Sequence, residues 1–449
     1  MPDAKVFLRM GSHSEKEYVE KTAAKFDGTI LGANLVEATP GASASFLASH
    51  MNCYAIDPMT YAFGAYVDPE TATVRYDLDW IKSDQKIRGS NGKTKRDFKS
   101  SYAKLADAFG PPFSTAIERG KAVTADDFKN ETDLENICRS VLDYQMYRVR
   151  RELESDEEAK TFADDTPPPA FLYAPYFYIE PNNTDAWIGL NSRLAATAMR
   201  LKTTVPVHVV VCCHREILSD DRLRAAILQY VKACGADGVW LWISRFDEHT
   251  AKPYELANLR NFVAGIAETS AVYNMHGGFY SLALSHYGMS GIAHGIGYGE
   301  QKDVVPIIGQ STPTVQYYVR PLHAKFSVPE ITRCFSVLGI KDAADFYEKI
   351  CDCVICKGVI KDDLGAFAQF GEIHFSTPTS KRAAQTPAAA KRCRFHFLFN
   401  RALERDAVNQ SDIASLRQAL TDSLQSWEQT VLGRRNQLDF LKTWSDTLA

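Results

Sequence analysis

Along residues 28–325, short apolar runs alternate with stretches in which apolar positions recur every three to four residues, the pattern of strand and amphipathic helix in turn. The strand candidates are 28–38 (GTILGANLVEA), 52–63 (NCYAIDPMTYAF), 169–179 (PAFLYAPYFYI), 205–216 (VPVHVVVCCHRE), 237–248 (DGVWLWISRFDE), 271–278 (AVYNMHGG), 290–300 (SGIAHGIGYGE) and 315–323 (VQYYVRPLH). The near-continuous Val run of 205–216 suits a strand covered on both faces, as parallel strands are. The segment after it, DRLRAAILQYVKACG, reads as a helix closed by Gly235. PYELANLRNFVAGIAE reads as a helix opening on Pro253. Eight strands with intervening helices predict an α/β fold, a (β/α)8 TIM barrel whose site is built at the C-terminal ends of its strands. A doubly wound open sheet is the other arrangement such alternation allows.

Two stretches depart from the alternation. Residues 67–168 are mostly charged and helical in pattern, end in DDTPPP, and are too long for a plain loop. They are expected to form a helical insertion over one rim of a barrel domain spanning 1–340. Residues 341–449 then form a smaller subdomain. It contains a cysteine cluster, a low-complexity linker at 376–391 (STPTSKRAAQTPAAAK), and a helix with Ile413, Leu416, Leu420, Leu424 and Trp427 on one stripe.

Hydrophobic residues make up 45% and charged residues 24% of the 449, an ordinary globular balance. There is no leader-like apolar segment at the N-terminus and no uninterrupted apolar run of membrane-spanning length, so a cytoplasmic location without a membrane partner is expected. The net charge of −4 leaves nucleic-acid contact to local patches. Two stretches qualify. Residues 82–99 carry Lys82, Lys86, Arg88, Lys93, Lys95, Arg96 and Lys99, and residues 381–394 carry Lys381, Arg382, Lys391, Arg392 and Arg394. A solvated basic loop explains either one equally well.

Ten cysteines are too sparse for a disulfide scaffold, yet three crowd into the run Cys351-Asp-Cys353-Val-Ile-Cys356. Thiolates at that spacing suit zinc, which asks for a tetrahedron of soft and borderline donors. The fourth ligand comes from His374, Cys393 or His396. His396 is preferred because the stretch it begins, HFLFNRAL, reads as a helix start that would tie the tail to the cysteine loop.

This arrangement resembles the tRNA-guanine transglycosylase family, a TIM barrel followed by Cys-x-Cys-x-x-Cys and a histidine that opens a helix. The gap from Cys356 to His396 is longer than the family's, and the linker at 376–391 accounts for the surplus. The resemblance implies a structural zinc held by Cys351, Cys353, Cys356 and His396. It also implies exchange of guanine for a 7-deazaguanine in nucleic acid, with protein partners conceivable. DNA is preferred over tRNA as substrate, because the motifs of the usual tRNA pathway are eroded and the insertion adds a new surface. The alternative is a non-catalytic, nucleic-acid-binding relative.

Base exchange needs a carboxylate to hold the sugar C1′ covalently and a second group to move protons. The family's Asp-Ser-Gly-Gly-Phe-Gln motif falls on Ala-Ile-Asp57-Pro-Met-Thr-Tyr-Ala-Phe63, which makes Asp57 the acid/base candidate. The family's nucleophile segment falls on Val315–His323, which holds no aspartate. Asp247, just past a strand end, is the substitute nucleophile, with Glu248 behind it. His276, Gly277 and Gly278 are similar to the glycine pair of the family's base pocket, and Arg320 and His323 are candidates for phosphate or ribose. Gly295-Ile-Gly297-Tyr298-Gly299-Glu300 offers a weaker phosphate-loop pattern that tight turns also explain. A catalytic metal set of His208, His214 and Asp247 is the rival chemistry. His214, His286 and His294 taken singly read as core histidines.

Overall fold

The computed structural model describes residues 3–64, 66–67, 74–75, 82–88, 94–98, 100–201, 203–296, 303–304, 316–375 and 383–449, with backbone alone over 66–98 and at 182 and 383. Eight strands form one sheet in which every neighbouring pair runs parallel. They are β1 (Lys5–Met10), β2 (Gly28–Gly32), β3 (Tyr54–Asp57), β4 (Leu172–Tyr173), β5 (Val207–His214), β6 (Gly238–Ser244), β7 (Ala271–Asn274) and β8 (Met289–Gly295). Their order in the sheet is β3-β2-β1-β8-β7-β6-β5-β4. At the seam the Ala170 amide donates to the Tyr54 carbonyl at 2.7 Å, so the sheet curls into a nearly closed barrel.

The number of strands agrees with the sequence pattern, but their membership does not. The segment 315–323 is not a barrel strand. Tyr317–Val319 (β9) turns through Arg320–Leu322 and pairs antiparallel with Ala324–Phe326 (β10). Pro321 cannot donate to a ladder, and His323 sits at φ 49°, so the run folds back on itself. Its place in the barrel is taken by β1, KVFLRM. There Lys5, Phe7 and Arg9 alternate with the buried Val6, Leu8 and Met10, the period-2 pattern of a strand.

Period-2 alternation also separates two cores. Val209, Val211, Leu241 and Ile292 face outward into the layer beneath the helices, where each such side chain contributes about 1.5–3 kcal/mol. The lumen is filled by Phe7, Ile30, Phe171, Tyr173, Val210, Trp240 and Tyr273. Trp240 stacks on Tyr273 at 4.6 Å between ring centres, so the lower barrel is a solid aromatic plug.

The labelled helices are α1 (Lys16–Thr22), α2 (Ala33–Ala38), α3 (Pro40–His50), α4 (Ser100–Phe109), α5 (Phe113–Arg119), α6 (Glu131–Glu154), α7 (Thr184–Arg200), α8 (Asp221–Cys234), α9 (Pro253–Ala267), α10 (Phe279–Ala283), α11 (Val354–Ile360), α12 (Pro387–Gln410), α13 (Ile413–Trp427) and α14 (Asp439–Thr447). The 67–168 insertion is not helical throughout. Residues 66–67 pair antiparallel with 74–75, and 82–88 with 94–98, before α4 begins.

The linker reading of 376–391 also needs correction. Residues 376–382 lie outside the described residues, but 383–385 pair with 373–375 and α12 starts at Pro387, nine residues before His396. Thr386 caps that helix, its side chain accepting from the Ala389 amide, and Pro387 takes the first turn, where its missing N–H costs nothing. His396 therefore lies inside a helix rather than at its start.

Helix α12 fills the helical layer between β1 and β8. Phe395 meets Tyr18 of α1 at 4.8 Å, Phe397 meets His294 of β8 at 5.2 Å, and Asn409 brackets the backbone of Ala4. It occupies the position of the helix that follows the last strand of such a barrel, although the β9–β10 hairpin and the cysteine segment come between the two in the chain.

Candidate functional site

The tail holds a knot of four donors. Cys351, Cys353, Cys356 and His396 are buried, and their ligand atoms all lie within 4.8 Å of one another. His396 Nδ1 stands 3.3 Å from Cys356 Sγ, 3.4 Å from Cys353 Sγ and 3.9 Å from Cys351 Sγ. A tetrahedron with metal–sulfur bonds of about 2.3 Å and a metal–nitrogen bond of about 2.0 Å sets sulfur and nitrogen roughly 3.6 Å apart, so the four atoms fit one cation.

The surroundings orient them. The Cys353 amide donates to Cys351 Sγ at 3.4 Å, Tyr317 Oη lies 3.0 Å from Cys356 Sγ, and the Tyr317 ring stacks on His396 at 4.0 Å. The four groups pull one another's protonation in opposite directions. Hydrogen bonds with Cys353 and Cys356 pull the Cys351 thiol far below its ordinary value, whereas burial and hydrogen bonds with Cys351 and Cys353 push Cys356 well above it. His396, although burial works against its charge, is raised to about 9 by Cys351 and Cys353. A divalent cation removes the conflict by displacing the remaining protons. The other ligand candidates lie elsewhere: His374 is exposed on a ladder strand, and Cys393 donates to the Phe370 carbonyl at 3.3 Å.

The barrel mouth holds the second constellation. Asp57, at the end of β3, is fully buried. Tyr176 Oη donates to its Oδ1 at 2.7 Å, the Met59 amide to the same oxygen at 3.0 Å, and Arg9 Nη2 reaches Oδ2 at 3.4 Å. Arg9 comes from the strand that the sequence pattern missed. Both residues face the lumen because they share the strand faces of Phe7 and Ala55. Aromatic rings wall the pair. Tyr61 stacks on Tyr176 at 5.7 Å and meets Trp242 edge-on at 4.8 Å, while the Arg9 guanidinium lies 5.6 Å over Trp242. Burial opposes the Arg9 charge, but Asp57 and the surrounding phenols outweigh it and raise its pKa. Burial, reinforced by Asp57, drives the Tyr176 and Tyr173 hydroxyls well above the ordinary phenol range.

The remaining candidates scatter. Asp247 lies in the loop after β6 with its side chain 51% exposed, accepting from the His249 amide at 2.8 Å. Glu248 is buried, and its carboxylate accepts from the amides of Gly278, Tyr280 and Ser281, which caps α10. His276 packs at 5.0 Å on Trp242 and so borders the mouth. Gly277 and Gly278 are accounted for by packing: a Cβ would stand 2.6 Å from Ile292 Cγ2 at the first and 2.4 Å from Glu248 Oε2 at the second.

Arg320 pairs with Asp352 beside the cysteine loop. His323 stacks on Phe279 at 3.4 Å, and its Nδ1 lies 2.6 Å from Glu404 of α12. Both residues belong to the hairpin rather than to a barrel strand. His208 and His214 sit at opposite ends of β5, and the six-residue rise of about 20 Å between them forbids a shared ion. His208 is a core residue, stacked on Phe171 at 4.2 Å and accepting from Trp240 Nε1 at 3.0 Å.

Of the glycine-rich pattern, residues 297–300 lie outside the described residues, as do Lys381 and Arg382 and the side chains of 82–99. In the rest of the 381–394 stretch, Lys391 pairs with Glu17, Arg392 with Glu372, and Arg394 lies over Tyr18. Those cations tie α12 to the body of the protein. No helix among the described residues is long and apolar enough to cross a membrane.

Fold and site together define an α/β barrel whose closing helix is fastened by a buried Cys3His knot. In comparisons with known proteins, no family model and no curated protein matches the chain.

Proposed function

We propose that the protein is a base-exchange enzyme of the transglycosylase type, replacing guanine by a 7-deazaguanine in nucleic acid, with DNA preferred over tRNA, and that its knot holds a structural zinc ion. The observation that carries this reading is Asp57: a carboxylate at a strand C-terminus, in an aromatic-walled mouth, whose three neighbours all donate to it. Partners of that kind suit a carboxylate acting as an anion. Asp57 is therefore assigned to C1′, a change from the acid/base role suggested by position alone.

In the first step an Asp57 oxygen bonds C1′ as guanine departs with the electron pair of the glycosidic bond and takes up a proton. In the second, the incoming base gives up its ring N–H proton and displaces the carboxylate, so atoms and charge balance without net hydrolysis. Asp247, in a loop on the same rim, is the group available for proton transfer. Zinc is assigned because three sulfurs and one nitrogen gathered in a buried cluster are its usual structural set. The reading includes a reducing, cytoplasmic setting, the compartment in which a thiolate metal site is ordinarily kept.

The half-exposed position of Asp247, engaged with His249, favours a second reading, a nucleic-acid-binding relative without catalysis. The two separate on a denaturing gel. Protein incubated with DNA or tRNA oligonucleotides and 7-deazaguanine is expected to give a covalent adduct and base exchange, both lost in Asp57→Ala. Absence of adduct and exchange on both nucleic acids leaves only binding.

A further inference from the structure

His323 stands where three parts of the molecule meet. Its backbone, at φ 49°, lies in the left-handed region that few residues other than glycine adopt, and contacts from three directions hold it there. The ring lies flat on Phe279 of α10, at 3.4 Å between centres and 11° between planes, and its Nδ1 meets Glu404 Oε1 of α12 at 2.6 Å. Its carbonyl lies 3.1 Å from His249 Nε2, and because a carbonyl only accepts, that nitrogen carries the hydrogen.

The contact to His249 leads to the barrel mouth. His249 Nδ1 lies 3.3 Å from Asp247 Oδ1, and the His249 amide donates to the same oxygen at 2.8 Å. Phe440 and Trp444 flank the His249 ring at 4.8 and 5.0 Å, which limits its tilt, while its two nitrogens set its reach along the ring plane. A single imidazole therefore ties the Asp247 carboxylate to the His323 carbonyl.

The contact to Glu404 leads to the knot. Glu404 is buried about 12 Å beyond His396 on α12, and its carboxylate accepts from the Tyr318 hydroxyl at 2.5 Å and pairs with Arg401 at 2.9 Å. Tyr318 also turns its carbonyl to His396 Nε2. Gathering the four donors on one cation fixes the rotation of α12, and with it the point at which Glu404 meets His323.

We infer that His323 is a positioning residue: it passes the placement of α12, set at the knot, to His249 and so holds Asp247 at the rim of the mouth. This rests on the base-exchange reading for the task of Asp247, and on geometry alone for its placement. His323 touches no reacting atom in this role. Its loss should misplace the proton-transfer group without changing what binds.

The test uses metal-loaded, full-length protein with isotopically labelled histidine, whose ring-nitrogen resonances report the hydrogen bonding of each imidazole, with His249→Gln assigning the signal. His323→Asn removes the ring from Phe279 and Glu404 but keeps the carbonyl and a residue at home in the left-handed region. The His249 resonances are expected to move in His323→Asn, in Glu404→Gln and in Cys353→Ser at the far end of the path. The double variant His323→Asn/Cys353→Ser should shift them no further than either change alone. A thermal melt establishes that each variant is folded, and if Cys353→Ser is not, the other two decide. Unmoved His249 resonances in folded His323→Asn overturn the role, as does a fully additive double variant. Exchange kinetics keep the two ideas apart: kcat should fall roughly tenfold or more in His323→Asn with KM within about twofold. Resonances that move while the wild type performs no exchange remove the activity and leave the positioning, whereas exchange with an unaffected kcat removes the positioning alone.

Discussion

His396 Nε2 lies 2.7 Å from the carbonyl oxygen of Tyr318, and because a carbonyl only accepts, that nitrogen carries a hydrogen and Nδ1 is the atom turned toward the three sulfurs. The β9 strand thus orients the fourth ligand. The hairpin, the cysteine loop and α12 are thereby joined at a single point.

Metal content checks this arrangement directly. Native mass spectrometry is expected to find one zinc ion per chain, lost on strong chelation and absent or substoichiometric in Cys353→Ser. Chelation should lower the melting temperature, because metal-binding free energy in a closed site is folding free energy. Metal-free protein with an unchanged melting curve would falsify the knot as a cation site.

Acid sensitivity should trace in part to His208. Burial lowers its pKa from 6.5 to about 4. Between those values the unfolded chain binds a proton that the folded chain refuses, so the stabilisation is complete above pH 6.5 and is lost as pH falls toward 4. The gap corresponds to about 3 kcal/mol. Urea unfolding across that window should show stability rising with pH, with a visibly flatter slope in His208→Gln. An unchanged slope in the variant assigns the sensitivity elsewhere.

Gly277→Ala and Gly278→Ala should each destabilise the fold by about 1–3 kcal/mol, since the added carbon runs into Ile292 in one case and the Glu248 carboxylate in the other. Chemical denaturation reads the loss. Variants of wild-type stability with impaired ligand binding would instead support a pocket role for the pair.

The two aspartates should behave unlike each other. Asp57→Asn leaves Arg9 buried without its counter-ion and is expected to cost about 3–5 kcal/mol as well as any adduct formation. Asp247→Ala, at a half-exposed loop position, should stay within about 0.5 kcal/mol of wild type. A destabilised Asp247→Ala would show that its loop carries part of the fold.

What could be read from the sequence divides along physical lines. Strands buried on both faces, such as Val207–His214 and Gly238–Ser244, announce themselves as apolar runs, and the cysteine spacing needs no tertiary context. The first strand escaped because Lys5 and Arg9 interrupt its apolar pattern, and only the closed lumen explains an arginine there. Asp57 was legible by position, but Arg9 and Tyr176, two of its partners, are distant in sequence and depend on the barrel for their meeting. The start of α12 was legible in Thr386-Pro387 followed by alanines, but a composition reading of 376–391 as linker obscured it. Gly277 and Gly278 suggested a ligand's approach, whereas the neighbour that needs the room is the protein's own Glu248 and Ile292.

Because α12 shields the outer side of β8 but follows it by about ninety residues, synthesis at roughly 5–20 residues per second leaves that strand without its cover for several seconds. During that interval the face of β8 around His294, which Phe397 later covers, is open to chaperones or to a second nascent chain. Ribosome pausing between the hairpin and α12 would lengthen the exposure, and a prompt supply of metal would shorten it.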